Sequence, residues 1–406
     1  MAEVERYFED FVSLPCGLLK SLGYDFLGTS SRRWLIQGLM RLYFLLTLIA
    51  CLYCTYFVAE ETMAEIVKGV PSLPLLLRLV NDFNYNAIGI LKSYYFFRNL
   101  KAKKSLFRRF REIFPTSIED RFEYRVNECY WPKWITTILY LYFCATALIL
   151  FSPLAETFIE YFVDLIKVGY AKANWGYHKL YEEQSYVIDH HNPLGYTLIY
   201  SMEVMNSHYA IVFNICPDIW LVAYAIQLCM HFDYITRNLE SYQPMETKTQ
   251  KDLKVVSELV RKHQILLELA DDLREIFSLL VLVMLFSTVA TLFCAAVYVL
   301  TQGVNKNVLG YLAFLPTSLG QYFMVCYYGQ LIINKSLEIG EAAYSQTWYN
   351  GCQSYKKSIL AIMGRAQRQC EINAGGFQTT NLKGFESVMR MTFQLFTLWR
   401  TLMEPN

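Results

Sequence analysis

The sequence predicts an all-α polytopic membrane protein, and three observations predict it. Apolar residues make up 54% of the 406 positions and charged residues only 18%, against about 25% charged in soluble proteins. Seven stretches approach the roughly 20 mostly apolar residues that a bilayer crossing needs. Basic residues also alternate between rich and poor from one connection to the next. With 37 Lys+Arg against 36 Asp+Glu the net charge is +1, so no bulk field attracts nucleic acid or acidic ligands. A soluble enzyme, a disordered tail and a nucleic-acid binder are excluded by this composition.

Residues 1–33 are mixed and charged, with Glu3, Glu5, Glu9 and Asp10 near the start, and show no signal-peptide pattern. The segment reads as cytoplasmic, and the span from Trp34 to Ala59 as an uncleaved insertion signal. Further spans run from Trp134 to Ala155, Glu275 to Thr301 and Val308 to Asn334, and a longer stretch from Tyr196 to Phe232 holds another. Val70 to Phe97 and Gly384 to Met403 contain cations (Arg78 and Lys92; Arg390 and Arg400). These two read as spans packed inside a bundle, where charge is tolerated and often useful.

The connections set the orientation. Lysine and arginine crowd into the N-terminus and the even-numbered connections, with 10 between residues 98 and 133 alone. Cytoplasmic loops are the basic ones. The expectation is seven transmembrane helices with a cytoplasmic N-terminus and an extracellular C-terminus. None of the 11 cysteines falls in a connection expected outside, so a disulfide framework is not expected.

Lys251 to Thr301 contains neither Gly nor Pro, which predicts one helix of about 75 Å at 1.5 Å per residue. Its first half is amphipathic: Leu253, Val256, Val260, His263, Leu267 and Ala270 fall three or four apart. That face packs either on its own chain or on partner subunits, together with extensions near Tyr234 and Tyr355; a shared cytoplasmic bundle is the favoured reading. The resulting division is 1–33, cytoplasmic N-terminal segment; 34–334, six-span ligand-binding bundle with cytoplasmic extensions; 335–378, cytoplasmic anchor helix region; and 379–406, pore-lining last helix with a short outer tail.

Several motifs tempt and fail. Asn192-Pro193-Leu194-Gly195-Tyr196 spells the NPxxY pattern of G-protein-coupled receptors and Asp120-Arg121-Phe122 resembles their DRY triplet. The first precedes the fourth span, the second precedes the third, and the orientation is inverted. Asp189-His190-His191-Asn192 has Asn192 where a palmitoyltransferase needs its cysteine nucleophile. His178, His190 and His191 lack companion ligands at metal spacing. No phosphate loop or hydrolase motif occurs, so neither enzymatic activity, cofactor nor metal is expected.

One stretch is specific. Gly329-Gln330-Leu331, Ser336-Leu337, Ala342-Ala343-Tyr344 and Trp348-Tyr349 are followed by Arg365-Ala366-Gln367, Gly375-Gly376-Phe377 and the last span, Phe385 to Leu398. This series resembles the signature after the sixth span of insect odorant receptors, over roughly the last 80 residues; length, span number and orientation agree over the whole chain.

The resemblance implies an odorant-binding subunit of a ligand-gated, non-selective cation channel, a heterotetramer with a common co-receptor subunit. It also implies a multi-pass place in the plasma membrane of an olfactory neuron's dendrite. The co-receptor has a large insertion between spans four and five; here that loop, about Asp233 to Arg274, is short, so the chain is similar to a tuning subunit. A gustatory receptor of the same superfamily is the alternative, although Thr392-Phe393 followed by Thr397-Leu398-Trp399 departs from the gustatory pattern. A receptor coupled to a cytoplasmic transducer and a transporter also stay open; Pro153, Pro217 and Pro316 could break spans for the latter.

By helical period Met391, Gln394, Leu398, Thr401 and Leu402 share one face of the last span. In the family that helix lines the pore, and its gate positions match Leu398 and Leu402, with Thr401 beside them; an apolar ring blocks ions by dewetting. Arg400 falls on another face and snorkels to the interface. The family's pocket lies in the outer half of the bundle. That implies ligand-binding residues among Phe83, Ala87, Thr146, Leu150, Met202, Met205, Tyr209, Phe314 and Ser318. The ligand is then a small, apolar, volatile odorant held by shape, with methionine and aromatic side chains suited to adaptable packing and Tyr209, Thr146 or Ser318 as the hydrogen-bond donor. Asn334-Lys335-Ser336, the only glycosylation acceptor pattern, falls inside and is expected to stay unmodified.

Overall fold

Six of the seven expected spans lie inside helices that outrun them; for Val70 to Phe97 the helix is described from Leu73 to Arg98. The computed structural model describes residues 6–28, 34–69, 73–168, 179, 192–245, 247, 249–302 and 306–403. Among these the order is α1 (Phe8–Ser21), α2 (Trp34–Lys68), α3 (Leu73–Arg98), α4 (Leu100–Ile113), α5 (Ile118–Glu123), α6 (Val126–Cys129), α7 (Lys133–Val168), α8 (Pro193–Ser241), α9 (Thr249–Gln302), α10 (Lys306–Ser345), α11 (Gln353–Ala366) and α12 (Leu382–Met403). Strands β1 (Asn373–Ala374) and β2 (Gln378–Thr379) form a small antiparallel hairpin between α11 and α12. Among the described residues, four helical stretches (in α2, α6–α7, α8 and α9) are long and apolar enough to cross a membrane by composition alone.

Helix α8 is the axis of the bundle. It packs against α1, α2, α3, α9 and α10, and almost every side chain from Tyr209 to Phe232 is buried. A helix apolar all round belongs in a core, not at a lipid boundary. At 49 residues it extends about 74 Å, well past the roughly 30 Å of hydrocarbon. Helices α8, α9 and α10, of 49, 54 and 40 residues, share a second packed layer beyond that length. Of the expected face of α9, Val256, His263 and Ala270 are buried and Leu253, Val260 and Leu267 half-buried; Leu259, Leu266, Leu269 and Leu273 beside them are buried too, and the helix packs against α8, α10 and α11.

The short helices complete this layer. Helix α1 starts where Asp10 accepts the Tyr7 backbone N–H at 2.7 Å, and it drives Phe8 and Phe11 edge-on into Phe114, with Phe11 also against Tyr130. Tyr124 and Tyr234 stack with ring centroids 3.8 Å apart, and Lys262 lies over them. Arg109 on α4 bridges Glu268 and Asp272 on α9.

Two tempting motifs have structural explanations. Asn192 caps α8, its side chain accepting the Gly195 N–H at 2.7 Å, with Pro193 in the first turn. Asp120-Arg121-Phe122 lies in α5, whose cap is Ser117. His178, Asp189, His190 and His191 lie outside the described residues. All 11 cysteines are free thiols. Helices α7 and α8 run unbroken through Pro153 and Pro217, so neither is the broken span that the transporter reading wanted.

Candidate functional site

A buried polar cluster inside the bundle is built around Pro217. A proline has no N–H for the carbonyl four residues back, which loosens the helical ladder locally. Beside it the Asn214 carbonyl accepts from Lys92 Nζ at 2.6 Å and from Gln321 Nε2 at 2.7 Å. Lys92 also pairs with Asp218 at 2.7 Å, both side chains being at most 2% exposed, and Gln321 donates to the same carboxylate. Asn214 in turn donates to the Tyr85 carbonyl at 3.1 Å. Three helices, α3, α8 and α10, are thus tied at one depth by a cation, an anion and two amides. Tyr142 of α7 is buried beside Tyr85 and Asp218, bringing the fourth helix to the cluster.

The nine expected ligand residues do not converge on one face. On α8, Tyr200, Ser207, Ile211, Asn214 and Asp218 are spaced seven, four, three and four residues apart and share one side, and Tyr200 donates to the Leu150 carbonyl of α7 at 2.7 Å. Met202, Met205 and Tyr209 fall on the opposite side. Tyr209 packs against Phe44 and Phe213 and donates to Ser93 Oγ at 2.7 Å; both methionines are half-buried. On α3, Phe83 and Ala87 turn away from Lys92, Phe83 being exposed and Ala87 half-buried. Thr146 lies one turn beyond Tyr142 and Ser318 one turn from Gln321, with Leu150 half-buried above Thr146. Phe314 lies in α10 but its side chain is outside the described residues. Thr146, Leu150 and Ser318 are therefore the members of the set adjoining the polar cluster.

Helix α12 has two unlike sides. Gly384, Val388 and Thr392 are buried against α9 and α10, and Phe396 and Trp399 pack on Val297 and Tyr298. Met391, Gln394, Leu398, Thr401 and Leu402 are all exposed, Leu398 at 58% and Leu402 at 74%. The stripe expected to face the pore is the side that a single chain leaves uncovered.

The signature residues fasten this helix. Gly329 lies so close to the β2 end that a Cβ there would overlap the Thr380 carbonyl oxygen. Ser336 Oγ accepts the Cys370 N–H at 3.0 Å, Ala342, Ala343 and Ala366 are buried where α10 meets α11, and Tyr355 donates to Gln346 at 2.7 Å. Gly375 and Gly376 take positive φ of 59° and 79°, turning the hairpin so that the Gly375 N–H reaches Ser278 of α9. A model of the family "7tm Odorant receptor" matches residues 83–393.

The chain belongs to the odorant-receptor family.

Odorant receptor 49a of Drosophila melanogaster is 29% identical over 98% of this chain and 99% of its own length. Odorant receptor 85f of the same fly is also 29% identical, over 98% of each. The olfactory receptor OR5 of Machilis hrabei has the same fold, with a TM-score of 0.75 at 15% identity over 98% of both chains. A second structure of it, solved in complex with eugenol, matches at 0.74. This receptor is thus a helical polytopic membrane protein of a family of receptors, not of enzymes.

Outside the spans, charge is handled by pairing. Asp233 is held below the usual carboxylate range: burial opposes this, but Lys335 and Arg237 outweigh it. Lys103 is only 2% exposed, against the Phe96 and Phe277 rings, and burial lowers its ammonium to about 8. A cleft of about 400 Å³ opens between α4–α5, α8 and α9, lined by Glu112, Asp120, His231, Arg261 and Lys262 among others; it is polar and lies in the outer layer of short helices, away from the expected pocket.

Proposed function

We propose that this chain is the odorant-tuned subunit of a non-selective cation channel, opened when a small volatile enters the membrane bundle. Family membership carries the reading: the family model spans residues 83–393 and the fold of a solved olfactory receptor covers 98% of the chain. That the Machilis receptor was solved with eugenol supports a ligand of similar size here. The N-terminus and the α4–α6, α8–α9 and α10–α11 layers lie in the cytoplasm, as the basic connections require. The pocket lies between α3, α7, α8 and α10, above the Lys92–Asp218 pair, with Thr146, Leu150 and Ser318 on its wall.

Subunits meet around α12, with Leu398 and Leu402 as the dewetted gate. Tyr344, Tyr349, Leu360 and Phe377 are exposed at the cytoplasmic end and are the surface offered to a co-receptor subunit in a heterotetramer. An odorant opens the channel by binding the open arrangement more tightly than the closed one.

The test is whole-cell current from cells expressing the chain with and without an insect co-receptor subunit, under G-protein blockade, while volatiles are applied. Rapid cation current only with the co-receptor supports the reading. Current abolished by the blockade would instead make the chain a transducer-coupled receptor.

A further inference from the structure

Of the three side chains that the sequence offers as ligand donors, Tyr209, Thr146 and Ser318, the first two are already engaged. Tyr209 spends its hydroxyl on Ser93. Thr146 donates back to its own helix, to the Tyr142 and Phe143 carbonyls at 2.9 and 3.0 Å. Tyr200, on the α7 side of α8, is spent on the Leu150 carbonyl.

Two donors beneath them are not spent. A lysine ammonium carries three N–H groups, and the named acceptors of Lys92, Asn214 and Asp218, take two. The Tyr142 hydroxyl is buried beside the Tyr85 phenol yet has no partner at hydrogen-bond geometry. Both groups lie near Asp218, where α3, α7, α8 and α10 come together. An unmatched buried hydroxyl is costly and calls for a partner. A buried ion pair is itself poor value for stability, since apolar replacements of similar volume do as well. The arrangement makes sense if something else uses it.

We infer that Tyr142 and the Lys92 ammonium form a polar anchor at the pocket floor, selecting small volatiles that present a carbonyl oxygen over hydrocarbons of the same shape. Two convergent donors suit an acceptor with two lone pairs, as in a ketone, aldehyde or ester. Asp218 and Gln321 hold the ammonium in place and are positioning residues. A carbonyl gains a bond from each donor, while an alkane leaves both unmet. This rests on the channel reading above and adds the ligand class to it.

The experiment compares straight-chain 2-ketones with alkanes of equal length on the chain co-expressed with an insect co-receptor subunit. The wild type should reach half-maximal current at ten-fold or more lower ketone concentration. Tyr142→Phe, which removes one oxygen and keeps the ring, should shrink that preference about ten-fold and leave the alkane response in place. Equal potency of ketone and alkane on the wild type overturns the anchor while leaving the channel reading intact, and so does an unchanged preference in Tyr142→Phe. Should that variant not reach the surface, thermal stabilisation of the detergent-solubilised wild-type assembly decides: a ketone shift exceeding the alkane shift supports the anchor, and equal shifts refute it. No current from any volatile, with surface expression confirmed, would sink the channel reading and the anchor with it.

Discussion

Replacing Asp218 by Asn tests the electrostatic account of the bundle most directly. At 2.7 Å and an effective dielectric of about 20, the Lys92–Asp218 attraction is about 6 kcal/mol. Taking each ion out of water costs several kcal/mol, so the pair as a whole contributes little net stability. Removing only the anion is different, because Lys92 then stays buried at 1% exposure without a counter-charge. Losing one partner of such a pair costs about 3–5 kcal/mol. With an unfolding entropy of about 2.1 cal/mol/K per residue over 406 residues, this corresponds to a drop of about 5 °C. The assay is thermal melting of the detergent-solubilised protein, followed by fluorescence-detected gel filtration. The double variant Lys92→Met with Asp218→Leu removes both charges at similar volume and should melt within about 1 °C of the wild type. If Asp218→Asn melts with the wild type, or if the double variant is no better than the single one, the pair is not buried as described and the reasoning fails.

Three further predictions follow from other parts of the molecule. Gly329→Ala places a methyl group on the Thr380 carbonyl oxygen and should abolish folded protein at the surface, measured by surface labelling; Gly364→Ala, whose Cβ meets nothing within 4 Å, should be tolerated. Leu398→Ala thins the uncovered apolar stripe of α12 and should raise unliganded leak current in the assembled channel, so unchanged leak and unchanged odorant response would move the gate elsewhere. Lys103 titrates at about 8 in the fold against 10.5 unfolded, so the unfolded chain holds the proton more tightly. Stability should therefore be lowest below pH 8 and rise between about pH 8 and 10.5. Lys103→Met should flatten that rise and gain up to about 3 kcal/mol at pH 7, read as a melting temperature above the wild type's.

The spans were legible because their signal is summed over 20 residues or more. Six of the seven expected stretches lie within one helix, the seventh is helical from Leu73, and the Gly- and Pro-free run from Lys251 to Thr301 is continuous in α9. Short elements carry no such sum, and so α5, α6 and the two-residue strands around Gly375-Gly376 pass below any periodic reading. The signature residues were visible as letters, but their work was not: Gly329 serves a close approach from more than 50 positions away along the chain, and local pattern does not encode that.

The ligand site shows the sharper limit. Position along a helix can be counted from sequence; direction around α8 cannot, because its apolar residues spread over every side and offer no moment to orient it. The α8 residues chosen by depth, Met202, Met205 and Tyr209, consequently fall on the side where Tyr209 meets Phe44 of α2, and not on the side of Tyr200, which meets α7. A different signal was available. Lys92 stands in one expected span and Asp218 in another, and an ion in hydrocarbon must find its opposite. Pairing them fixes the rotation of α3 and α8 together, and Gln321 then fixes α10. In a helix without a polar face the few charged residues carry the orientation that hydrophobicity cannot, so the same pair that adds little to stability decides which side chains face the space where a ligand would lie.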